Sequence, residues 1–259
     1  MDTRKNIAYC RKGFTLVELM IAMLISAIIV AAVLTTYKYN RDVYEAQDQV
    51  TEIQQTLRAA TNQLVREIRM AGFNPQETQD EDQRPKIKEA KKDLLYFTID
   101  LNEDGDVNVG NDDTGEHIVY DLYISPTGTS TLGRTIADND INLADPLAHQ
   151  PVADHIQAIE FCYRLKDMDD TDPCVLPAAS LSSADIDAVR SIQISILART
   201  RYEDRNYTDG SIYCPASNPY NPATQQCTDP DPAKSWGPYN DHFRRRLLTT
   251  NVTCRNLGL

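Results

Sequence analysis

The feature that most constrains the fold of this chain is an apolar run near the beginning of the sequence. Residues 14–34 read FTLVELMIAMLISAIIVAAVL, and these 21 residues contain a single charged side chain, Glu18. An α-helix needs about 20 apolar residues to cross the hydrocarbon core of a bilayer, so this run is long enough to span one. The sequence therefore predicts a transmembrane helix over residues 14–34.

The residues before the apolar run predict its orientation. Residues 1–13 contain four basic side chains and one acid, so by the positive-inside rule they stay in the cytoplasm as a leader, while the chain after Leu34 is exported. A secretory signal peptide is the alternative, but its apolar region would be only about 7–15 residues long and would precede the small-residue cleavage site. Here the small residue, Gly13, comes before the apolar run. This order favours cleavage on the cytoplasmic side, which leaves the helix in the product.

The helix is predicted to continue beyond the membrane, because no proline or glycine occurs between Phe14 and Ala71. In its second half apolar residues recur every three or four positions, which is the spacing of one buried helix face. These residues are Val43, Ala46, Val50, Ile53, Leu57, Ala60, Leu64, Ile68 and Ala71. We expect residues 35–74 to form the amphipathic half of the helix, packed on a β-rich periplasmic or extracellular head formed by residues 75–259.

The head contains the patterns of an antiparallel β-sheet with long connections. Residues 76–93 are charged and nearly devoid of large apolar side chains, which predicts a solvated loop. Strands are predicted at residues 94–99, 117–124, 155–165, 190–198 and 247–255. Ile192, Ile194 and Ile196 alternate with polar residues, as in a sheet with one buried face. Residues 215–238 include six prolines and predict an irregular excursion. The expected fold class is α+β: a long N-terminal helix packed on an antiparallel sheet.

The charge balance and the absence of catalytic motifs exclude two classes of function. The chain has 26 lysines and arginines against 38 acidic residues, a net charge of −12. An acidic surface repels phosphates, so nucleic acid is not an expected partner. The sequence has no phosphate-binding loop, no G-x-S-x-G motif and no histidine within motif distance of a nucleophile. We therefore expect no enzymatic activity.

One acidic segment matches the start of a calcium-binding loop, D-x-N-x-D-G-x-x-N. Alternate oxygen-bearing residues that bend around a glycine converge on one point, and Ca²⁺ needs six or more oxygen ligands. The candidate ligands are Asp100, Asn102, Asp104, Asp106, Asn108 and Asp112. The twelfth position holds Asn111 in place of the usual bidentate glutamate, and no flanking helices are evident. Calcium is the one cofactor that the sequence suggests, with a polar hairpin loop as the alternative.

Six cysteines occur, and one of them lies within residues 1–13. The other five would be exported into the periplasm, where thiols are oxidised. Short loops containing aspartate and proline favour two disulfides, Cys162 with Cys174 and Cys214 with Cys227. Cys254 would then be a lone thiol buried in the last strand. Other pairings remain open, because connectivity cannot be deduced from sequence alone.

Glu18 needs an explanation, because a carboxylate within a membrane helix is costly and normally has a partner. The spacing Thr15-x-x-Glu18 matches a capping box, in which the carboxylate accepts a hydrogen bond from the Thr15 backbone N–H. After cleavage at Gly13, the free amine of Phe14 would offer a second partner one helical turn away. The carboxylate thus has two candidate roles, in capping the helix and in neutralising an amine.

Residues 11–18, RKGFTLVE, resemble the class III leader of type IV prepilins and type II secretion pseudopilins. In that family a membrane-embedded aspartic peptidase cuts after the glycine and methylates the new N-terminal phenylalanine. The resemblance implies cleavage between Gly13 and Phe14, N-methylation of Phe14, and the prepilin peptidase as a partner. It also implies that Glu18 neutralises the N-terminal amine of a neighbouring subunit and so sets the axial register of a filament.

Two further stretches, residues 57–73 and 243–257, resemble the end of the long helix and the terminal strand of PilW-like minor pilins. This resemblance implies a minor pilin of a type IV pilus that primes assembly or sits at the filament tip. Its partners would be other minor and major pilins, the inner-membrane assembly platform and membrane lipid. It would start in the inner membrane and end in the pilus at the cell surface. The alternatives are a J-type minor pseudopilin of type II secretion and a membrane-anchored calcium-dependent adhesin that never polymerises.

Overall fold

The structure, a computed structural model, describes residues 13–80, 83–107, 115–136, 149–169 and 172–257. The chain divides into two compact units, Met1–Asp48 and Gln49–Leu259. Helix α1 (Leu16–Met70) begins in the first unit and ends in the second. The predicted α+β fold class is confirmed, because the second unit combines the end of this helix with antiparallel sheets.

Helix α1 reaches 55 residues because nothing in its sequence interrupts it. It ends at Met70, four residues before the predicted end at residue 74 and two residues before the first glycine. Gly72 adopts φ +75°, a conformation that side-chain-bearing residues rarely adopt, and the Phe73 N–H donates to the Met70 carbonyl at 2.8 Å. The chain therefore turns away from the helix axis immediately after Met70.

In the first unit, residues 13–48 are described, and their large apolar side chains are all exposed. The polar side chains bond within the helix: Ser26 Oγ donates to the Ala22 carbonyl, and Thr35 Oγ1 donates to the Ala31 carbonyl, both at 2.8 Å. Among the described residues, α1 is the one helix long and apolar enough to cross a membrane. The apolar run is therefore a helix with an uncovered apolar surface.

The second unit contains two main sheets and a small hairpin. The strands are β1 (Ile87–Ala90), β2 (Leu94–Thr98), β3 (His117–Ile124), β4 (Ser130–Ile136), β5 (Gln150–Asp154), β6 (Ile156–Leu165), β7 (Val189–Arg199), β8 (Tyr220–Asn221), β9 (Gln226–Cys227) and β10 (Arg245–Thr253). One sheet has the order β1-β2-β3-β4-β5, the second β10-β7-β6, and β8 pairs with β9. All pairings are antiparallel. A short helix, α2 (Ser183–Asp187), precedes β7.

The two main sheets are joined by backbone contacts as well as by the chain. The Phe161 N–H donates to the Lys92 carbonyl at 2.7 Å, which links β6 to the turn before β2. Ser130 Oγ, at the start of β4, donates to the Ile156 carbonyl of β6 at 2.6 Å. These bonds hold the two sheets next to each other, and residues of both sheets belong to one hydrophobic core.

The core lies between helix α1 and the sheets. The helix contributes apolar side chains that are at most 6% exposed, namely Ile53, Leu57, Ala60, Leu64 and Ile68, and Thr61 is buried beside them. Opposite it, Ile192, Ile194 and Ile196 of β7 are completely buried, as their alternation predicted. Val43, however, is 36% exposed, so the face buried in the head starts at Ile53.

A polar cluster fixes the rotation of α1 on the five-stranded sheet. Glu67 Oε2 lies 2.9 Å from Arg134 Nε, and the Tyr120 hydroxyl donates to the same oxygen at 2.7 Å. The side chains of Glu67 and Arg134 are only 15% and 13% exposed. Because removing one partner would leave a largely buried charge, this pair favours a single setting of the helix face.

The structure corrects three predictions for the head. Residues 76–93 are not one solvated loop, because Ile87 and Ala90 are buried and hold residues 87–90 in the edge strand β1. Strands β4 and β5 were not predicted, since they contain few large apolar residues and depend on pairing with their neighbours. The strands form two main sheets rather than one, and residues 215–238 contain the β8–β9 hairpin and a short 3-10 helix, Pro232–Lys234.

The end of α1 is covered by the end of the chain. Asn256 Nδ2 donates to the Arg69 carbonyl at 3.2 Å, which satisfies one of the free carbonyls of the last helical turn. The Gly72 N–H donates to the Thr98 carbonyl of β2 at 3.0 Å. A Cβ atom on Gly72 would lie 2.4 Å from Leu257 Cδ2. The helix end, strand β2 and the chain terminus therefore meet around a glycine that has no room for a side chain.

We predict that Gly72→Ala lowers the free energy of unfolding of the head by about 2–4 kcal/mol, because it adds backbone strain and a clash with Leu257. Gly128→Ala is the matched control: Gly128 has φ +77°, but nothing lies within 4 Å of its Cβ position. The control should cost about 1–2 kcal/mol, from backbone strain alone. Denaturant unfolding of the two variants measures the difference, and equal losses would contradict the packing argument.

Candidate functional site

The start of helix α1 brings together the residues predicted for processing and assembly. Thr15 and Glu18 form a reciprocal capping box: Glu18 Oε2 accepts from the Thr15 N–H at 2.8 Å and from Thr15 Oγ1 at 2.9 Å, and the Glu18 N–H donates back to Thr15 Oγ1 at 3.2 Å. Gly13 precedes the helix with no atom within 4 Å of its Cβ position. The capping arrangement predicted from Thr15-x-x-Glu18 is therefore the one observed.

The surface around this box is apolar and open. Phe14 is 91% exposed and Leu16 76% exposed. Over residues 17–34, the large apolar residues are all at least half exposed: Val17, Leu19, Met20, Ile21, Met23, Leu24, Ile25, Ile28, Ile29, Val30, Val33 and Leu34. Apolar surface of this extent marks a membrane or protein interaction site. Glu18 is the one acidic side chain within residues 14–34. Its carboxylate can therefore pair with a basic group on a neighbouring chain.

The predicted calcium ligands lie between β2 and β3. Asp100 follows β2 closely, and Asn102, Asp104 and Asp106 lie in the loop after it. Asn108 and Asp112 lie outside the described residues. Within the parts of the chain that the structure describes, no three His, Cys, Asp or Glu side chains lie close enough to hold a metal. Any ion in this loop would therefore need amide or main-chain oxygens in addition to carboxylates.

The cysteines form the two pairs that the loop lengths favoured. Cys162 of β6 is bonded to Cys174, and Cys214 is bonded to Cys227 of β9. Cys254 has a free thiol that is buried just after β10, and burial raises its pKa to about 12. A thiol that stays protonated and covered is a poor nucleophile, so Cys254 acts as a small apolar side chain of the core.

Comparison with known families accounts for both ends of the chain. Residues 9–34 match the model of the prokaryotic N-terminal methylation motif. Residues 119–256, more than half of the chain, match the model of type IV pilus-assembly protein W. The chain belongs to this family. Its members are structural subunits, and the methylation motif together with the family match assigns the chain a structural role as a minor pilin.

One similar solved structure is described as the type IV-like pilin TTHA1219 from Thermus thermophilus. It is 14% identical, with a TM-score of 0.47, and the similarity covers 80% of this chain and 100% of that one. No curated protein is significantly similar in sequence to this chain. The methylation motif implies processing by a prepilin peptidase, pilin partners, anchoring in a membrane and association with a pilus.

The region matched by the pilus-assembly protein W family contains a buried charge cluster around Arg245. Arg245 is the first residue of β10, and its side chain is 1% exposed. Its Nη1 lies 2.8 Å from Asp209 Oδ2, and its Nη2 lies 2.6 Å from Asp241 Oδ2. The guanidinium also stacks over the Tyr239 ring at 3.9 Å. The cluster fastens the long segment between β7 and β10 to the last strand.

Hydrogen bonds from Arg245 lower the pKa of Asp241. A carboxylate whose pKa is lower in the folded state stabilises the fold above its unfolded pKa of about 3.9, and that contribution is lost as the pH falls through the folded pKa. Asp209 is fully buried and also accepts a hydrogen bond from the Tyr213 hydroxyl at 3.0 Å. The cluster therefore ties the stability of the head to the ionised state of Asp241.

We predict that Arg245→Met lowers the free energy of unfolding by about 3–5 kcal/mol, because Asp209 is left buried without its cation. The adjacent, exposed Arg246 provides the control, and Arg246→Met should change stability by less than about 0.5 kcal/mol. Acidification below about pH 4 should destabilise the wild type more than Arg245→Met, since the variant has already lost the Asp241 contribution. Denaturant unfolding at neutral and acid pH tests both statements, and parallel pH profiles would contradict the second.

Two groups of residues important for the head were not predicted from the sequence. Glu67 and Arg134 are 67 positions apart, and no local motif joins them. The run Arg244–Arg246 stood out as a basic cluster, but nothing in it indicated that the middle arginine is buried. Alternation along a strand was the one available signal, and it becomes informative only when the position of β10 in the sheet is known.

Proposed function

We propose that this chain primes assembly of a type IV pilus or occupies the tip of the filament, after its leader is removed at Gly13 and Phe14 is N-methylated. The proposal rests on one observation: a helix with an uncovered apolar surface and a capped acidic residue begins within the methylation motif. The head has its own core, so this helix is available for lipid and then for neighbouring subunits. A chain of 259 residues is also longer than typical major pilins, which favours a minor subunit present in few copies.

The orientation of the chain follows from the same segment. Residues 1–13 stay in the cytoplasm, residues 14–34 cross the inner membrane once, and residues 75–259 lie in the periplasm until the subunit enters the pilus. Lipid surrounds the apolar helix before assembly. The expected partners are the prepilin peptidase, the inner-membrane assembly platform, and other minor and major pilins.

Glu18 has a different role at each stage. In the membrane its carboxylate is satisfied by Thr15 through the capping box. In a filament, the amine on Phe14 of an adjacent subunit would be costly to bury without a counter-charge. A carboxylate from a neighbouring helix offsets this cost at only one axial stagger. Glu18 therefore sets the register of the subunit and takes no part in a chemical reaction.

We predict that Glu18→Ala inserts into the membrane and is cleaved normally, but enters pili at a level reduced at least about tenfold, because the buried amine loses its counter-charge. Insertion should not suffer, since the substitution removes a charge from the span. Membrane fractionation, mass spectrometry of the N-terminus and immunoblotting of sheared pili measure the three steps.

Thr15→Ala is the control that separates register from capping. It removes the hydroxyl that bonds Glu18 but keeps the carboxylate. If Glu18 sets the register, Thr15→Ala should enter pili near the wild-type level. Should Glu18→Ala appear in sheared pili as abundantly as the wild type, the carboxylate acts only as a helix cap and the register role is wrong.

We predict that Gly13→Val leaves uncleaved full-length protein in the inner membrane, because a branched side chain would not fit where the peptidase accepts a glycine. Ala22→Val makes a similar change within the apolar span and should be cleaved normally. Mass spectrometry of the N-terminus distinguishes the two. A methylated Phe14 terminus in the Gly13→Val variant would contradict the assigned cleavage site.

Deletion of the gene tests the system in which the subunit works. Loss of surface pili with normal secretion supports the proposed role. Loss of exoprotein secretion with intact pili would instead indicate a minor pseudopilin of type II secretion, because the N-terminal processing is common to both systems. Failure of cells to cleave the leader would indicate a membrane-anchored adhesin that does not polymerise.

A further inference from the structure

The loop of residues 100–106, here called the Asp100 loop, is held tightly although four of its seven residues are acidic. The Asp100 N–H donates to the Phe73 carbonyl at 3.1 Å, which ties the start of the loop to the segment after α1. Gly105 has φ +94°, and its N–H donates to Asp100 Oδ2 at 3.1 Å. The carboxylate of Asp100 is therefore turned into the loop and not towards solvent.

Asp100 is completely buried, and its second carboxylate oxygen, Oδ1, has no hydrogen-bond partner. A buried carboxylate oxygen without a partner is unfavourable, because the protein replaces none of the water that the oxygen has lost. No ion pair joins Asp100 to a basic side chain among the residues that the structure describes. A bound cation would satisfy this oxygen.

A second carboxylate is buried beside the loop. Glu116 is 1% exposed, and its Oε1 accepts from the Leu101 N–H at 2.8 Å and from the Asn102 N–H at 3.2 Å. It is therefore held against the two residues that follow Asp100. A carboxylate in this position is a second candidate ligand for a hard cation.

The remaining polar groups determine which cation fits. Asn102 and Asp104 are exposed, and Asp104 Oδ1 and Oδ2 are held by the Asp106 N–H and by Asn102 Nδ2 at 3.1 and 3.0 Å. All side-chain acceptors around the loop are hard oxygens, which suits Ca²⁺ or Mg²⁺ rather than a soft metal. Ca²⁺ accepts six to eight oxygens in flexible geometry, including amide and main-chain oxygens, whereas Mg²⁺ demands a small regular octahedron.

We propose that the Asp100 loop binds one Ca²⁺ ion, with Asp100 Oδ1 as the buried anchoring ligand, with Glu116 as the second carboxylate, and with the Asn102 amide and main-chain oxygens of the loop completing the coordination shell. The site would strengthen the region where α1 ends. Gln76 Nε2 donates to the Glu103 carbonyl at 2.8 Å, and Thr78 Oγ1 donates to the Gly105 carbonyl. Fixing the loop therefore also fixes the segment that leaves the helix.

The test uses the full chain in detergent, stripped of metal with EGTA, and follows thermal unfolding. Extracellular calcium modules bind with a Kd of about 10⁻⁴–10⁻³ M, so about 5 mM CaCl₂ should nearly saturate the site. At ten times the Kd, the Tm should rise by about 3–5 °C, and the same concentration of MgCl₂ should raise it less. Isothermal titration should give one site per chain.

Asp100→Asn separates a metal ligand from a structural hydrogen-bond acceptor. In EGTA its Tm should equal or exceed that of the wild type, because the substitution removes an uncompensated buried charge while the shape is kept. In CaCl₂ its Tm should not rise. Asp104→Ala removes an exposed negative charge from the loop and should weaken Ca²⁺ binding at least about fivefold with little change of the Tm in EGTA, which keeps the proposal testable if Asp100→Asn folds poorly.

Asp229→Asn is the matched control. Asp229 lies in another acidic turn, but its side chain is 40% exposed and its Oδ2 is held 2.5 Å from Lys234 Nζ. This variant should retain the full calcium response. Absence of a calcium-induced rise in the wild type would overturn the proposal, as would an undiminished rise in Asp100→Asn and Asp104→Ala. An equal drop in the Tm of Asp100→Asn with and without calcium would make Asp100 a structural acceptor only.

Discussion

Burial of one face of helix α1 between Ile53 and Ile68 is the interaction on which the rest of the head depends. Both sheets turn their apolar sides towards this face, so without it the isoleucines of β7 would be exposed to water. The same helix is apolar on all sides over residues 14–34, where no part of its own unit covers it. One uninterrupted helix is therefore apolar on all sides in its first part and has a single buried face in its second part.

Apolar burial alone does not define how the head is arranged around the helix, because hydrophobic contact is not directional. Specific polar contacts provide the missing direction. Glu67 and Arg134 set the rotation of the helix against the five-stranded sheet, and Asn256 brings the end of the chain to the last helical turn. Arg245 fastens the long segment before β10. Each contact joins residues that are remote in sequence or come from different elements. Each therefore limits how these elements can be arranged.

The family matches and the local chemistry describe different parts of the chain. The methylation motif covers residues 9–34, and the pilus-assembly protein W match covers residues 119–256. The segment between them contains the amphipathic half of α1, strands β1 and β2, and the Asp100 loop. Neither family match covers this segment. The loop lies directly against the segment that leaves the helix, which is where an added charge interaction would most affect the junction between helix and sheet.

The sequence by itself determined the long helix, its end close to Gly72, the capping box and the alternation of β7, because each depends on residues close together in the chain. The two disulfides were favoured by short loops for the same reason. Only the tertiary structure decided that residues 87–90 form a strand, that the strands divide into two sheets, and that Arg245 is buried while Arg246 is exposed. Weak strands and buried charges gain their stability from partners far away in sequence, and no local pattern of side chains identifies those partners.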